Sequence, residues 1–596
     1  MSFTFNSHHR SFKSLHLPLK IFIFNSTFSR HLTSCSSNRS SNSIDAESFF
    51  TSLLQKSTRK VHLSQIQNQL IVYGLQSNGF IITKFVSRSF ELKEIDHARQ
   101  VFDEFPVRHV FLWNAVIRGY SMHKMFDKVL EMYSAMQIAF VNPDAYTFPY
   151  VLKACGDLPE LGFGRAVHAQ ILRHGFDNDA FLRNGLLSFY VKCDESASAR
   201  VVFDQMKVKD VVSWTLIVSG YVQNGDPTEA LRVFRNMRES GVNPDWIASV
   251  SAFKACSDVG DSNQGRCLHG LVIRMGYELE PDLRVALVSL YAKCGEATAA
   301  RSLFYEAKVV DVMLWNSIIS GFAKSGYASE ALELFNQMIA RSIQPDAVTI
   351  QSSILATAQI GSLEQAKWME SYVSASSYRH DVVIRTALID MYAKCGSVEM
   401  ARRVFSRTRT KDVVVWSAMI MSYGINGWGR DAMNLFNEMK MAGVCPNEVT
   451  FLGLITACSH SGLVEEGWEV FHSMRDYRVE PLQKHYASVV DMLGRAGDLG
   501  KAYRFIEAMP IDPGASVWGA LLRACEVHRS VGLGEHAAER LLSLDAFDVG
   551  HHVVLSNLYA SVGLWGGVER VRGLMRSRGV CKDSGSSAVE IELGTM

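Results

Sequence analysis

The side chains best suited to metal binding or nucleophilic chemistry are eleven cysteines and nineteen histidines. No two cysteines have the CxxC spacing of a zinc or redox site. Instead, Cys193, Cys294 and Cys395 each follow a lysine and lie 101 residues apart, and His168 and His269 have the same separation. Residues that return with a fixed period belong to a repeated structural unit. We therefore interpret these cysteines as small packing residues, as expected in a reducing compartment, and these histidines as part of the repeat.

Motifs of known catalytic sites are also missing from the sequence. It contains no Ser/His/Asp set, no P-loop and no HExxH motif. The adjacent His551 and His552 would point about 100° apart on a helix, which does not suit two ligands of one metal. The sequence therefore predicts no catalytic residues, no metal ligands, no cofactor and no small-molecule substrate.

The regular spacing of the tryptophans indicates which structural elements hold these cysteines and histidines. Trp113, Trp214, Trp315 and Trp416 are separated by 101 residues, and Trp518 follows after 102. A fixed period of this kind indicates an array of supersecondary units rather than one compact core. A chain of 596 residues also exceeds what one core usually supports.

Each period divides into a unit of 35 residues that contains the tryptophan, a second unit of 35 without it, and a short unit of 31. The tryptophan units are 110–144, 211–245, 312–346 and 413–447. The second units are 145–179, 246–280, 347–381 and 448–482, and the short units are 180–210, 281–311 and 382–412. Upstream, 79–109 is another short unit and 44–78 a degenerate second unit, and downstream 483–514 is a variant short unit.

Every unit shows the apolar spacing of an amphipathic helix twice. In 312–346 the two sets are Trp315, Ile318, Ile319 and Phe322, and then Ala331, Leu334, Phe335 and Met338. Gly326 separates the two sets, and Pro345 ends the unit. One helical hairpin cannot bury two apolar stripes alone, so neighbouring hairpins must stack. We predict an all-α solenoid in which the tryptophans and the Phe–Met pairs are core.

The three alternating unit types, with exits such as SGVNPD and the short motif MYAKCGSVEMARRVF, resemble the PLS subfamily of plant pentatricopeptide repeat (PPR) proteins over residues 44–591. The resemblance implies a right-handed superhelical solenoid of helix-turn-helix units, residues 44–514, with an RNA-binding inner groove. A tetratricopeptide-repeat-like scaffold that binds protein is the alternative from another class, although its units are 34 residues long.

A stacked array can read one base of single-stranded RNA per unit with two side chains, and short polar groups suit that task. In the PPR family the reading pair is the fifth and the last residue of a unit. The pairs at these positions are Asn114 with Asp144, Asn184 with Asp210, Thr215 with Asp245, Asn316 with Asp346, Thr386 with Asp412, and Ser417 with Asn447. By resemblance, Asn–Asp prefers U, Thr–Asp prefers G and Ser–Asn prefers A.

Other units depart from the reading pattern. The second units, which we expect to act as spacers, carry Pro149, Val250, Gln351 and Leu452 at the fifth place. Val285 is not polar, and Thr83 with His109 is not a standard pair, so these two positions are left unread. From the unit 79–109 onward, the predicted RNA element is n-U-n-U-G-n-n-U-n-G-A-n-n, written 5′ to 3′.

The first 43 residues differ from the rest of the chain. They contain Arg10, Lys13, Lys20, Arg30 and Arg39 together with many serines, and no acidic residue precedes Asp45. This composition is typical of an organellar transit peptide, and its arginines and phenylalanines favour the mitochondrion, with the chloroplast as the alternative. No stretch of 18 apolar residues predicts a membrane span. The net charge of +1 means that affinity for RNA must come from local basic groups.

Residues 515–580 resemble the E-type extension of PLS proteins, two further hairpins that precede a short tail, 581–596. The family often continues from there into a DYW deaminase domain, which needs a His-x-Glu and paired cysteines for zinc. The sequence has no such set, and Ser586 and Ala588 replace the usual Cys and Trp.

The resemblance therefore implies a recognition factor, not an enzyme, for C-to-U editing of an organellar transcript. Its partners would be that single-stranded RNA and a DYW-type deaminase or another editing-complex protein supplied in trans. RNA stabilisation, splicing or translation is the alternative role.

Overall fold

A computed structural model of the protein describes residues 39–277, 280–307, 310–544 and 549–577. Over these ranges the chain forms 32 α-helices and no strand. The helices follow one another in pairs, and each pair falls within one of the units found in the sequence, except that the first helix begins at Arg39, inside the predicted leader 1–43. Most of the predicted leader, and all of the tail 581–596, lie outside the described residues.

The chain divides into two compact units, Met1–Ala255 and Cys256–Met596. We number the helices so that odd numbers are the first helices of hairpins and even numbers the second. The helices of the first compact unit are α1 Arg39–Lys56, α2 Lys60–Val72, α3 Gly79–Glu91, α4 Ile95–Glu104, α5 Val110–Met122, α6 Phe126–Ile138, α7 Thr147–Asp157, α8 Leu161–Arg173, α9 Ala180–Lys192, α10 Ser196–Asp204, α11 Val211–Gln223 and α12 Pro227–Glu239, and α13 Trp246–Val259 contains the boundary.

The second compact unit continues the same alternation. Its helices are α14 Ser262–Met275, α15 Pro281–Lys293, α16 Ala297–Tyr305, α17 Val312–Lys324, α18 Ala328–Ala340, α19 Ala347–Ile360, α20 Leu363–Ala375, α21 Val382–Lys394, α22 Val398–Arg407, α23 Val413–Ile425, α24 Gly429–Met441, α25 Glu448–Ser461, α26 Val464–Ser473, α27 Gln483–Arg495, α28 Leu499–Glu507, α29 Ala515–Val527, α30 Val531–Leu544, α31 Val549–Ser561 and α32 Trp565–Ser577.

Packing within each compact unit is between neighbours along the chain. A first helix contacts its own second helix and the first helices of the hairpins before and after it, as α17 does with α18, α15 and α19. This arrangement buries an apolar stripe on both sides of each first helix, which a lone hairpin could not do. The predicted all-α solenoid fold is confirmed.

The repeated tryptophans lie in the core, as predicted. Trp315 is fully buried, and its counterparts Trp113, Trp214 and Trp416 are between 2% and 7% exposed. Each ring packs edge-to-face on the phenylalanine of the preceding short unit. The ring centroids are 4.8 Å apart for Phe102–Trp113, 4.7 Å for Phe203–Trp214, 4.6 Å for Phe304–Trp315 and 5.0 Å for Phe405–Trp416. These contacts join a short unit to the tryptophan unit that follows it, so they set the stacking register.

The turn between the two helices of a tryptophan unit requires left-handed backbone. Gly326 has a φ of 83° between α17 and α18, and Gly225 and Gly427 occupy the same place with φ of 77° and 75°. In the first tryptophan unit Lys124 adopts a φ of 57° there. A side chain in this conformation crowds its own carbonyl, which explains the use of glycine at the other three turns.

Substitution of Gly326 by alanine is expected to destabilise the hairpin by about 1 kcal/mol, because a Cβ would meet no neighbour yet would strain the left-handed backbone. The matched control is Gly270→Ala in the middle of α14, where a Cβ also meets nothing. This control should stabilise the protein by up to about 1 kcal/mol through helix propensity. Urea unfolding monitored by tryptophan fluorescence measures both changes. Effects of the same sign would contradict the assignment of the turn.

In the part of the chain that the structure describes, no helix combines the length and apolar character needed to cross a membrane.

Candidate nucleic-acid interface

The structure brings the fifth and last residues together in all four tryptophan units. The fifth residue lies in the second turn of the first helix, and the last residue is the N-cap of the next unit's first helix or lies just before it. The hydrogen bonds run from Asn114 Nδ2 to Asp144 Oδ1 at 2.9 Å, Thr215 Oγ1 to Asp245 Oδ1 at 3.1 Å, Asn316 Nδ2 to Asp346 Oδ2 at 2.8 Å, and Ser417 Oγ to Asn447 Oδ1 at 3.3 Å.

A capping interaction explains why these pairs form. Asp346 accepts a hydrogen bond from the Thr349 N–H at 2.9 Å and thereby caps α19. The Thr349 hydroxyl accepts from the Asp346 N–H at 3.2 Å and donates to Asn316 Oδ1. The cap therefore holds the carboxylate in place and also orients the asparagine on the preceding hairpin.

The same three-residue network recurs in two other tryptophan units. Its members are Asn114, Asp144 and Thr147 in one, and Ser417, Asn447 and Thr450 in the other. In the remaining unit Ala248 occupies the third place, so the Asp245 carboxylate accepts hydrogen bonds from the Thr215 hydroxyl and the Ala248 N–H without a bridging threonine. The last residue thus serves both as a helix cap and as a partner of the fifth.

The Asn316–Asp346 pair retains hydrogen-bonding capacity after its internal contacts are counted. One N–H of the Asn316 amide and lone pairs on Asp346 Oδ2 remain available. Partial burial tends to raise the pKa of the Asp346 carboxyl, but hydrogen bonds from the Thr349 N–H, the Asn316 amide and the Thr349 hydroxyl outweigh it and hold that pKa below its usual value. At neutral pH the pair therefore presents a donor beside an ionised acceptor, which suits the edge of a nucleobase.

The two predicted pairs of the short units are not joined by a hydrogen bond. Asp210 caps α11 through the Ser213 N–H at 2.8 Å, and Asp412 caps α23 through the Val415 N–H at 3.0 Å. The Thr386 hydroxyl donates to its own helix, at the Val382 carbonyl, and Asn184 Oδ1 is buried with no hydrogen-bond partner. In these units both aspartates are exposed caps.

Burial differs among the fifth residues. Asn114 and Asn316 are half-buried, whereas Thr215 is 8% exposed and Ser417 only 1%. The Ser417 hydroxyl is enclosed by its contacts with Asn447 and Thr450. At these two units the more accessible polar edge belongs to the last residue of the pair.

A row of exposed apolar side chains accompanies the polar pairs and was missed in the sequence. It occupies the second position of every unit from 79 to 482 except 281–311, where Asp282 stands: Phe80, Phe111, Tyr146, Phe181, Val212, Ile247, Met313, Val348, Val383, Val414 and Val449 are 43–74% exposed. Positions two and five are i and i+3, so they share one side of the first helix. Nucleobases stack on apolar and aromatic surfaces of this kind. The sequence did contain a signal for this row, because an apolar residue recurs at the second position of the units, just outside the buried apolar stripe.

The periodic cysteines and histidines take part in packing and hydrogen bonds within the repeat. Cys193, Cys294 and Cys395 are only partly buried. Cys155 and Cys256, which are also 101 residues apart, are fully buried, and burial raises the pKa of each thiol to about 12, so both remain neutral. A His168 ring nitrogen lies 2.8 Å from the Tyr190 hydroxyl, and His269 makes the same contact with Tyr291 at 3.0 Å. Among the described residues, no three or more His, Cys, Asp or Glu side chains form a group that could hold a metal.

Comparison with known proteins identifies both the repeats and a motif near the C-terminal end of the described residues. A PPR repeat family model matches residues 108–157, 209–258, 310–357 and 411–460, and a PPR repeat model matches 383–413 and 449–479. An E motif matches residues 528–590. The maize PPR10 crystal structure shares the fold, with a TM-score of 0.54 and 15% identity over 95% of this chain and 92% of that one.

Relatives in Arabidopsis thaliana match over most of the chain. Pentatricopeptide repeat-containing protein At3g12770 is 52% identical, covering 92% of this chain and 79% of its own. The mitochondrial At1g06140 protein is 37% identical, covering 92% of this chain and 99% of its own, and the chloroplastic At1g11290 protein is 38% identical, covering 89% and 65%. With its repeated hairpins, its terminal E motif and these relatives, the chain belongs to the pentatricopeptide repeat family.

Proposed function

We propose that the protein binds a single-stranded organellar RNA and reads its sequence along the first helices. The pairing of Asn316 with Asp346, beside the exposed Met313, carries this proposal. The pair offers a donor and an ionised acceptor, and the apolar neighbour offers a surface for stacking. Because the arrangement repeats at Asn114, Asp144 and Phe111, it supports a row of base contacts at a regular step.

We further propose that the protein is a recognition factor for C-to-U editing, and that it does not perform the deamination itself. The E motif at residues 528–590 supports this role, since this C-terminal extension resembles the extensions of editing factors. The deaminase would be a DYW-type or other editing-complex protein recruited in trans through the hairpins α29–α32. We propose the mitochondrion as its compartment, from the composition of residues 1–43.

Loss of the Thr386 and Asp412 side chains is expected to reduce editing of the target cytidine. A null plant line would be complemented with the wild-type gene or with the Thr386→Ala/Asp412→Ala variant, and organellar transcripts would be sequenced. The pair faces a base close to the edited site, and its loss should weaken RNA binding by about tenfold. The matched control is Gln351→Ala/Asp381→Ala, which alters the same two positions of a spacer unit and should leave editing unchanged.

Sequencing of the organellar transcripts also distinguishes editing from the alternative functions of the protein. A null line with normal editing but altered transcript abundance or splicing would replace the editing role with RNA stabilisation or processing. Purified protein that retains no single-stranded RNA would favour the protein-binding scaffold.

A further inference from the structure

One short unit of the solenoid is unusually basic. Residues 376–412, which include the turn before α21 and the loop after α22, contain eight lysines and arginines against four acidic residues. The equivalent stretch 174–210, two repeat cycles earlier in the first compact unit and aligned residue by residue, contains five against six. The excess of positive charge is therefore a property of this unit and not of the repeat.

The basic side chains converge at one end of the hairpin. Arg385, in the first turn of α21, donates its Nε–H to the Arg379 carbonyl at 2.7 Å. Its counterparts in the other short units reach their second helices, since Arg183 and Arg284 each lie 3.5 Å from a carbonyl 19 residues further on. By the same register Arg385 lies beside the last turn of α22, which ends at Arg407. We call Arg379, Arg385, Arg407 and Arg409 the arginine cluster. The charges of Arg407 and Arg409 act on Arg385, and those of Arg379, Arg385 and Arg409 act on the exposed His380, which places the four residues near one another.

The arginine cluster lacks acidic partners among the residues that the structure describes. Arg379, Arg407 and Arg409 are exposed, and none lies within ion-pair distance of a carboxylate. Glu370, whose charge acts on Arg385, accepts the Tyr392 hydroxyl at 2.6 Å. The flanking carboxylates of Asp381 and Asp412 are occupied as helix caps.

Electrostatic repulsion within the cluster is therefore only partly offset by the protein, through Glu370. The pKa of the Arg385 guanidinium lies below its usual value, first because the group is partly buried and then because Arg407 and Arg409 repel its charge, with Glu370 opposing. A bound polyanion would relieve that repulsion. Guanidinium groups contact phosphate oxygens through two parallel N–H donors, a geometry that lysine does not provide.

We propose that the arginine cluster binds phosphate groups of the RNA backbone beside the short unit 382–412. This site rests on the proposed RNA-binding function and extends it. Arg379 lies two residues before Asp381, and Arg409 three before Asp412, so the cluster is adjacent to the last residues of two consecutive units. It supplies the local positive charge that a protein with a net charge of +1 needs for RNA. Phosphate contacts would anchor the strand while the polar pairs select bases.

The test is RNA binding by the full chain with the substitutions Arg379→Gln, Arg407→Gln and Arg409→Gln combined. Arg385 is retained because it is half-buried against α22. The control combines Arg235→Gln, Arg238→Gln and Arg430→Gln, three exposed arginines of second helices, with the same change in net charge. Fluorescence anisotropy would be measured at several salt concentrations with the predicted element and with a version in which its read bases are exchanged.

We expect the cluster variant to bind both RNAs about tenfold more weakly than wild type does, with a salt slope smaller by about 2. The control should match wild type. Equal affinity and slope in the cluster variant would overturn the phosphate site while leaving RNA binding intact. A loss confined to the predicted element would also overturn it, because a backbone contact is blind to sequence.

Binding of inorganic tripolyphosphate tests whether the ligand of the arginine cluster is the RNA backbone or free phosphate. If tripolyphosphate binds wild type but not the cluster variant, while both bind RNA equally, the cluster is a small-anion site and the proposal fails. If wild-type protein binds no single-stranded RNA, the proposed function falls, and this site falls with it.

Discussion

Replacing Trp315 by alanine is expected to lower the stability of its part of the solenoid by about 3–5 kcal/mol, the range for removal of a fully buried large aromatic side chain. The ring is completely buried, packs 4.6 Å from the Phe304 ring, and lies 5.5 Å from the Arg341 guanidinium. Its loss leaves a cavity between a short unit and the tryptophan unit after it. Because stacked repeats stabilise mainly their neighbours, the damage should centre on α15–α19.

Hydrogen exchange measured along the chain would locate that damage. The conservative variant Trp315→Phe should cost far less than alanine, because Trp315 Nε1 has no hydrogen-bond partner to lose. Trp368, which is 47% exposed, is the second control, and its change to alanine should cost little. Equal destabilisation by Trp315→Ala and Trp368→Ala would contradict the core assignment, and so would exchange that increases uniformly along the chain.

Substitution of Asn316 by threonine is expected to change which base is preferred at its unit from U to G. The variant recreates the Thr215–Asp245 pair, in which the hydroxyl donates to the carboxylate at 3.1 Å, so the hydrogen bond to Asp346 can persist. Thr349 would lose Asn316 Oδ1 but keep its contact with Asp346 Oδ1 at 3.0 Å. A pair of hydrogen bonds to a base is worth about 1–3 kcal/mol, so relative affinity should shift by about 10-fold or more.

The assay compares binding to two RNAs that differ only at the eighth base of the predicted element. Gln351→Thr, at the fifth place of the next spacer unit, is the matched control and should leave the ratio of affinities unchanged. If the affinity of the variant falls equally for both RNAs, Asn316 supports the fold without reading the base. Wild-type protein that tolerates G-to-C and A-to-U changes elsewhere in the element would contradict the whole reading register.

Much of the fold was accessible from local pattern. The period of 101 residues and the i, i+3, i+4, i+7 apolar spacing around Trp315 predicted a helical hairpin, and the structure has one there, α17 and α18. In a solenoid each hairpin contacts only its neighbours along the chain, so short-range pattern carries most of the fold. The turn at Gly326 was likewise indicated by the break in apolar spacing, and the structure shows that its backbone is left-handed.

Less of the candidate site could be predicted from the sequence, as two pairs of residues show. Asn316 with Asp346 and Asn184 with Asp210 look equivalent in the sequence, yet only the first pair forms a hydrogen bond in the structure. In the first pair the Thr349 hydroxyl bridges the cap and the asparagine, whereas the corresponding Ser213 hydroxyl donates to the Asp210 carbonyl. Burial of the Ser417 hydroxyl is a similar case, because it results from packing against Thr450 on the next hairpin.

The sequence alone determined that this protein is a periodic array of helical hairpins with tryptophans in their cores and polar residues at two fixed places in most of the tryptophan and short units. Periodicity sufficed because helix formation and nearest-neighbour stacking depend on residues close in the chain. Only the tertiary structure decided which polar pairs meet, which apolar side chains stay exposed, and that four arginines converge without acidic partners. Those features depend on distances and burial between hairpins, which residue type and spacing do not specify.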